Sequence, residues 1–212
     1  MKSIQSSKKD EAVSPVVGVM LMLVVTIIIA AVVVAFSSGL IDTKSSSPSA
    51  YFDVKINAFE GDSNDQYVMT IEHLGGEVVD TAELQIVTYY SYSGYDSTTQ
   101  TAVNVRKTAT ITPGSATIKL DGTNFVRVPY LADIAKGSPG DATINFGMFE
   151  LTSGDIMTSG NSLGTATMLG FTNADDISTG NTNGFGVGSK VEVSIIHTPS
   201  GNTIFNKEVR VA

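Results

Sequence analysis

Thirty consecutive residues, Ala12 to Ile41, carry no charge, and from Val16 to Phe36 the only polar side chain is Thr26. A run of about 20 apolar residues is long enough to cross a bilayer as a helix. It exceeds the ~7–15-residue apolar core of an ordinary secretory signal. Ser14-Pro15 suits a helix start, with Ser as the cap and Pro where its missing N–H is harmless. Ser37-Ser38-Gly39 suits a stop, because Gly39 is free to turn left-handed. Between them the segment is apolar on every face, so it must be surrounded by lipid or protein. Gly18 and the pair Ala30-Ala31 offer places where another helix could come close. Lys2, Lys8 and Lys9 precede the segment and only Lys44 follows closely. That asymmetry puts the N-terminus in the cytoplasm and the remainder outside. A second reading is conventional cleavage after Ala50, in Pro48-Ser49-Ala50.

The string Asp10-Glu11-Ala12-Val13-Ser14-Pro15-Val16-Val17-Gly18-Val19-Met20-Leu21-Met22-Leu23 resembles the N-terminus of archaeal type IV pilins. The resemblance implies a class III signal peptide, residues 1–12, cut on the cytoplasmic side by a prepilin peptidase. The cut falls after Ala12, with Glu11, Ala12 and Val13 around the bond, and the helix 13–40 is retained. It further implies that Ser14, Pro15, Val16, Val17, Gly18 and central positions such as Val25 serve helix assembly. Bacterial type IV pilins carry a glutamate five residues into the mature chain; that place here is Val17. Archaellins are relatives with a similar helix, but they usually have Gly at the junction and lack Ser-Pro.

Residues 41–50, with Ser45-Ser46-Ser47-Pro48-Ser49 at their centre, read as a linker. From Tyr51 on the apolar period becomes 2, the mark of half-buried strands. Phe52, Val54, Ile56 and Ala58 alternate with polar residues, as do Tyr67, Met69 and Ile71, then Leu84, Ile86 and Thr88. Val103-Val105, Ala109-Ile111, Ile118-Leu120 and Ile144-Phe146-Met148 continue the pattern, followed by Val191, Val193 and Ile195. Pro199-Ser200-Gly201-Asn202 is a turn, and Ile204 to Val211 returns as the closing strand. No amphipathic helix of any length is evident. The expectation is an α+β pilin architecture: a long N-terminal apolar helix, then an all-β antiparallel, immunoglobulin-like sandwich over 51–212. His73-Leu74-Gly75-Gly76-Glu77-Val78-Val79-Asp80 resembles a turn segment of archaeal pilins, giving His73, Gly75, Gly76 and Glu77 as a family turn motif. Gly188 to Val211 resembles their last hairpin. Ser91–Thr101 and Thr172–Gly188 read as variable polar loops.

Little in the sequence points to chemistry. The 212 residues include no Cys and two His, so thiolate zinc sites and Cys nucleophiles are excluded. The net charge is −8, against a nucleic-acid partner. His73 and His197 read as partly buried residues bonded to backbone rather than as metal ligands. Gly61-Asp62-Ser63-Asn64-Asp65 and Ala174-Asp175-Asp176 read as solvated turns without calcium-loop spacing. Gly184-Phe185-Gly186-Val187-Gly188 lacks the following helix of a dinucleotide loop. No Asn-x-Ser/Thr sequon occurs. The reading expects no catalytic residue, metal or cofactor. The expected role is a filament subunit, inserted in the membrane before assembly and extracellular afterwards. Its expected partners are copies of itself, other pilins, the prepilin peptidase, and the pilus assembly ATPase and membrane platform. The alternative is a monomeric membrane-anchored extracellular binding domain.

Overall fold

The computed structural model of the chain describes residues 15–39, 46–59, 66–96, 98, 101–120, 123–178 and 181–212. The chain divides at Lys44–Ser45 into two compact units, the helix in the first and all β structure in the second.

The first unit contains helix α1, Pro15–Gly39. Val and Ile, mediocre helix formers in water, fill much of it. A low-dielectric surround leaves backbone polar groups no partner but one another, and so enforces helix. Thr26 turns its hydroxyl onto the carbonyl of Leu23 at 2.8 Å, so the single polar side chain is satisfied within the helix.

The second unit is a β sandwich. Its strands are β1 (Ala50–Phe59), β2 (Gln66–Gly76), β3 (Val79–Asp80), β4 (Leu84–Asp96), β5 (Thr101–Ile111), β6 (Thr117–Lys119) and β7 (Phe125–Arg127). They continue as β8 (Tyr130–Leu131), β9 (Glu150–Leu151), β10 (Ile156–Thr158), β11 (Lys190–His197) and β12 (Asn202–Arg210). Among the described residues, one four-stranded sheet has the order β1-β2-β10-β8 and the other β12-β11-β4-β5, with β3-β9 and β6-β7 as small pairs. All pairings within these sheets are antiparallel. The two large sheets meet at β1 and β12 through a parallel bridge between Ile56 and Val211. There the Ala58 N–H donates to the Ala212 carbonyl at 2.7 Å, and the Ala212 N–H to that of Ile56 at 2.9 Å.

The period-2 residues form the core between the sheets. Val54, Ile56, Met69, Ile71, Leu84, Ile86, Val191, Val193 and Ile195 are all buried. Each contributes about 1.5–3 kcal/mol by leaving water, which is why the alternation sets strand register so firmly.

Four expectations are corrected. Ile144-Phe146-Met148 is not a strand; Ala142–Ile144 is a single 3-10 turn that drops Ile144 and Phe146 into the core. Alternating burial in a turn imitates a strand over three residues. Ser91–Thr101 is not simply a loop, since β4 and β5 pair in unbroken register out to Asp96↔Thr101. Thr172–Gly188 is not all surface, because Ile177 and Phe185 are buried. Phe185 meets Tyr67 and Tyr90 edge-on at 5.0 and 5.3 Å. Finally, a short helix α2 (Ser162–Met168) is present, capped by the Asn161 side chain on the Gly164 N–H. It ties the two large sheets together: the Thr165 hydroxyl donates to the Tyr67 carbonyl on β2 at 2.7 Å, and the Thr88 hydroxyl on β4 donates to the Met168 carbonyl.

Gly76 ends β2 with φ of +110°, and a Cβ there would stand 2.2 Å from the Ser49 carbonyl oxygen. At Gly75 the nearest atom is Ser153 Oγ at 3.9 Å, and φ is not positive. Gly76→Ala is therefore expected to destabilise the β domain by about 1–3 kcal/mol from backbone strain alone. Gly75→Ala is expected to be near neutral. Thermal unfolding of both variants checks this; equal losses would show that the pair serves only as a flexible turn.

Candidate functional site at the apolar helix and the base of the β domain

Pro15 opens α1, and Val16, Val17, Gly18 and Val25 all lie on it. Glu11, Ala12, Val13 and Ser14 lie outside the described residues, as do residues 41–45 of the linker and the cluster 61–65. From Pro15 to Phe36 the helix is exposed and is long and apolar enough to cross a membrane. At 1.5 Å per residue those positions span about 33 Å, near the ~30 Å hydrocarbon thickness of a bilayer. Val17, Met20, Leu21, Val24 and Val25 line a shallow apolar groove along one face. A Cβ at Gly18 would meet nothing within 4 Å, so that face is open to a neighbour. The helix can do one thing chemically: bury itself, in lipid or among other helices.

The second region is the end of the β domain at which the chain enters it. The Ser49 N–H donates to Glu77 Oε2 at 2.8 Å, and the Glu77 N–H donates to the Ser49 carbonyl at 2.9 Å. Gly76, by lacking a side chain, lets Ser49 come that close. Nearby, the His73 N–H donates to the Asp155 carbonyl at 2.9 Å, and the Gly154 N–H donates to the His73 carbonyl at 2.7 Å. Asp155 closes its own turn by accepting from the Thr152 N–H and hydroxyl, and it takes Lys136 Nζ at 2.6 Å. Burial works to push its carboxyl up, but Lys136 and the two Thr152 donors outweigh that and hold it below the usual range. A polar cleft lies at the same end, lined by Ser46–Pro48, Glu77–Asp80, Glu83 and His197.

Both histidines depart from expectation. His73 is wholly buried and stacks on Phe52 at 5.2 Å, yet neither ring nitrogen has a hydrogen-bond partner. His197 is buried too, but its partners are side chains: Nδ1 meets Ser200 Oγ at 2.9 Å and Nε2 meets Glu83 Oε2 at 3.1 Å. Thr198 adds a backbone N–H and a hydroxyl, both donating to the Glu83 carbonyl. The sequence reading missed Ser49, Glu83, Asp155 and Ser200. Ser200 lies three residues from His197 and could have been paired with it locally. Glu83 is 114 residues away and carries no such signal.

Ser200, His197 and Glu83 have the residue types of a hydrolytic triad. Ser200 is nevertheless buried, and its hydroxyl is taken up by His197 and by the Asn202 N–H. It cannot reach a substrate carbonyl, so the three residues fasten the β11–β12 turn to the start of β4. Among the described residues, no three His, Asp or Glu side chains are grouped to hold a metal ion. Asp176 caps the 3-10 turn Ala174–Ile177 by accepting from the Asn173 N–H.

A buried polar group left without a bond costs about 1–3 kcal/mol. The stacking on Phe52 returns about 0.5–1.5 kcal/mol. His73→Leu is therefore expected to stabilise the β domain and raise its thermal midpoint by about 2–4 °C. A lowered midpoint would show that the ring nitrogens do make bonds in the folded protein.

Residues 11–52 match the family model of the archaeal type IV pilin N-terminal domain. No curated protein matches the chain. The matched segment takes in all of α1 and the first residues of β1, and antiparallel sheets follow it. The chain is thus similar, over residues 11–52, to the archaeal type IV pilin N-terminal domain, and its apolar helix followed by antiparallel sheets is consistent with an α+β pilin architecture.

Proposed function

We propose that this protein is the structural subunit of an archaeal type IV pilus-like surface filament, assembled through its N-terminal helix and used for adhesion to surfaces or other cells. The observation that carries the reading is α1: apolar all round, exposed along its length, and inside the segment that matches the pilin family. Such a helix suits a bilayer before assembly and a bundle of like helices afterwards, since neither leaves it a water-facing side. The proposed organisation is a leader over 1–12, a filament-core helix over 13–40, a linker over 41–50 and an extracellular β domain over 51–212. The prepilin peptidase would remove the leader at Glu11-Ala12-Val13 in the cytoplasm. The assembly ATPase and its membrane platform would then extract the subunit into a filament of its own copies, with or without other pilins.

Conventional secretory cleavage after Ala50 fits poorly. Ser49 is bonded to Glu77, and Ala50 and Tyr51 pair with Gly76 and Gly75 at the start of β1. A cut there would sever the chain inside a strand pair. The monomeric membrane anchor remains the second reading, because an exposed apolar helix suits it equally. The family is one of structural subunits, and the burial of Ser200 supports a non-catalytic role.

N-terminal sequencing of the mature protein separates the readings. A chain beginning at Val13 is expected; an intact Met1 or Lys2 would favour the simple anchor, and a start at Tyr51 would favour secretion. Electron microscopy of surface filaments checks assembly. Val25→Asp places a charge at the middle of the helix, where insertion alone is penalised by about 2.5–3.5 kcal/mol. Burial in a filament core without a partner is at least as unfavourable. The expected outcome is loss of filaments, and wild-type filament yield from Val25→Asp would remove the helix from the core.

A further inference from the structure

Of the two hydrogen bonds that join Ser49 to Glu77, one uses the Glu77 side chain and the other its backbone N–H. Glu77 is in turn rooted in the core. Two residues on, Val79 is buried and pairs with Leu151. Four residues on, Thr81 is wholly buried, and its hydroxyl donates to the Phe149 carbonyl at 2.5 Å.

We propose that the Ser49–Glu77 contact is a force clamp, the point at which tension carried by the N-terminal segment passes into the β domain. The proposal rests on the reading of the helix as the domain's attachment, and it holds for a filament core or a bilayer alike. The physical reason lies in how strand pairs fail. Pulled at one end and across the ladder, β1 would peel from β2 one bond at a time. Pulled along the strands, many ladder bonds must break together, because antiparallel bonds run perpendicular to the strands. The far end of β1 is held by Ala212, through Ile56 and Ala58. A load between Ser46 and Ala212 therefore runs along β1.

The weak place on that path lies near its start. The β1–β2 register shifts between Tyr51 and Phe52, so the ladder is irregular one step behind Ala50↔Gly76. The Ser49–Glu77 bonds sit in front of that irregularity and shield it from peeling. This gives Gly76-Glu77 a joint purpose. Gly76 admits the Ser49 carbonyl where any Cβ would strike it, and Glu77 then grips Ser49 from both its backbone and its side chain.

The test is single-molecule pulling at constant force on the full chain in detergent micelles. The chain has no native Cys, so paired Cys handles are unique. One pair, Ser46→Cys with Ala212→Cys, sends force through the clamp. A second pair at the exposed positions Ile134 and Val187, each replaced by Cys, sends it elsewhere. Glu77→Ala is expected to speed rupture about threefold through the first pair, the effect of losing one hydrogen bond of ordinary strength. Through the second pair the rate should stay unchanged. Equal acceleration through both pairs would make Glu77 a general stabiliser, and no acceleration through the first would mean that the clamp carries no load. Either result overturns the proposal. Should Glu77→Ala not fold, Glu77→Gln is read the same way with a smaller factor. Filament formation by the wild-type chain is scored separately, so its absence would count against the pilin reading and not against the clamp.

Discussion

The structure depends on one constraint: a helix of 25 residues that has no polar face must be kept out of water. Every large side chain of that helix from Val16 to Phe36 stands exposed. Nothing within a soluble monomer can meet such a demand, so the demand is met outside the chain, by lipid or by other helices. Membrane residence and polymerisation are then two answers to one problem of hydration. On the proposed reading, burial of the helix among its own copies is the assembly reaction.

The β domain solves its own burial problem independently. Its two large sheets enclose a core of Val, Ile, Leu and Met, and the polar groups that enter the core arrive with partners. Thr88 and Thr165 are buried, yet each donates to a backbone carbonyl and so stitches α2 between the sheets. Ser159 meets both Thr165 and the Met69 N–H. Such bonds fix geometry more than they add stability, since the net worth of each is about 0.5–1.5 kcal/mol. His73 is an exception among the described residues, a wholly buried ring without a polar partner, stacked on Phe52. Its backbone, by contrast, is fully used, clasping the Thr152–Asp155 turn.

Two segments far apart in the sequence converge at one place. His73 to Asp80 and the turn around His197 are more than a hundred residues apart in sequence, yet Glu77, Asp80, Glu83 and His197 line one cleft with Ser46–Pro48. That end of the domain receives the chain and locks it. The opposite end carries the long β4–β5 ribbon and the turn-rich stretch after Phe171.

The sequence by itself determined the helix, the division into two parts and most of the strands. These are local properties: an uncharged run too long for anything but a helix out of water, and a period of 2 that each strand carries within itself. A turn at Gly75-Gly76 was also legible, but only the structure put the positive φ on Gly76. Only the tertiary structure decided what depends on distant partners. Ile144 and Phe146 alternate like a strand, but Ile144 ends a 3-10 turn and Phe146 makes a lone backbone bond to the Arg127 carbonyl in place of a ladder. Ser91–Thr101 looks like a loop by composition, but β5 lies in register with Ser91–Asp96 and makes that part a ribbon. Glu83 reaches His197 across 114 residues, and Ser49 reaches Glu77 across 28. Hydrogen bonds of that kind leave no periodicity behind, because they are set by which strands become neighbours and not by the chain's local preferences.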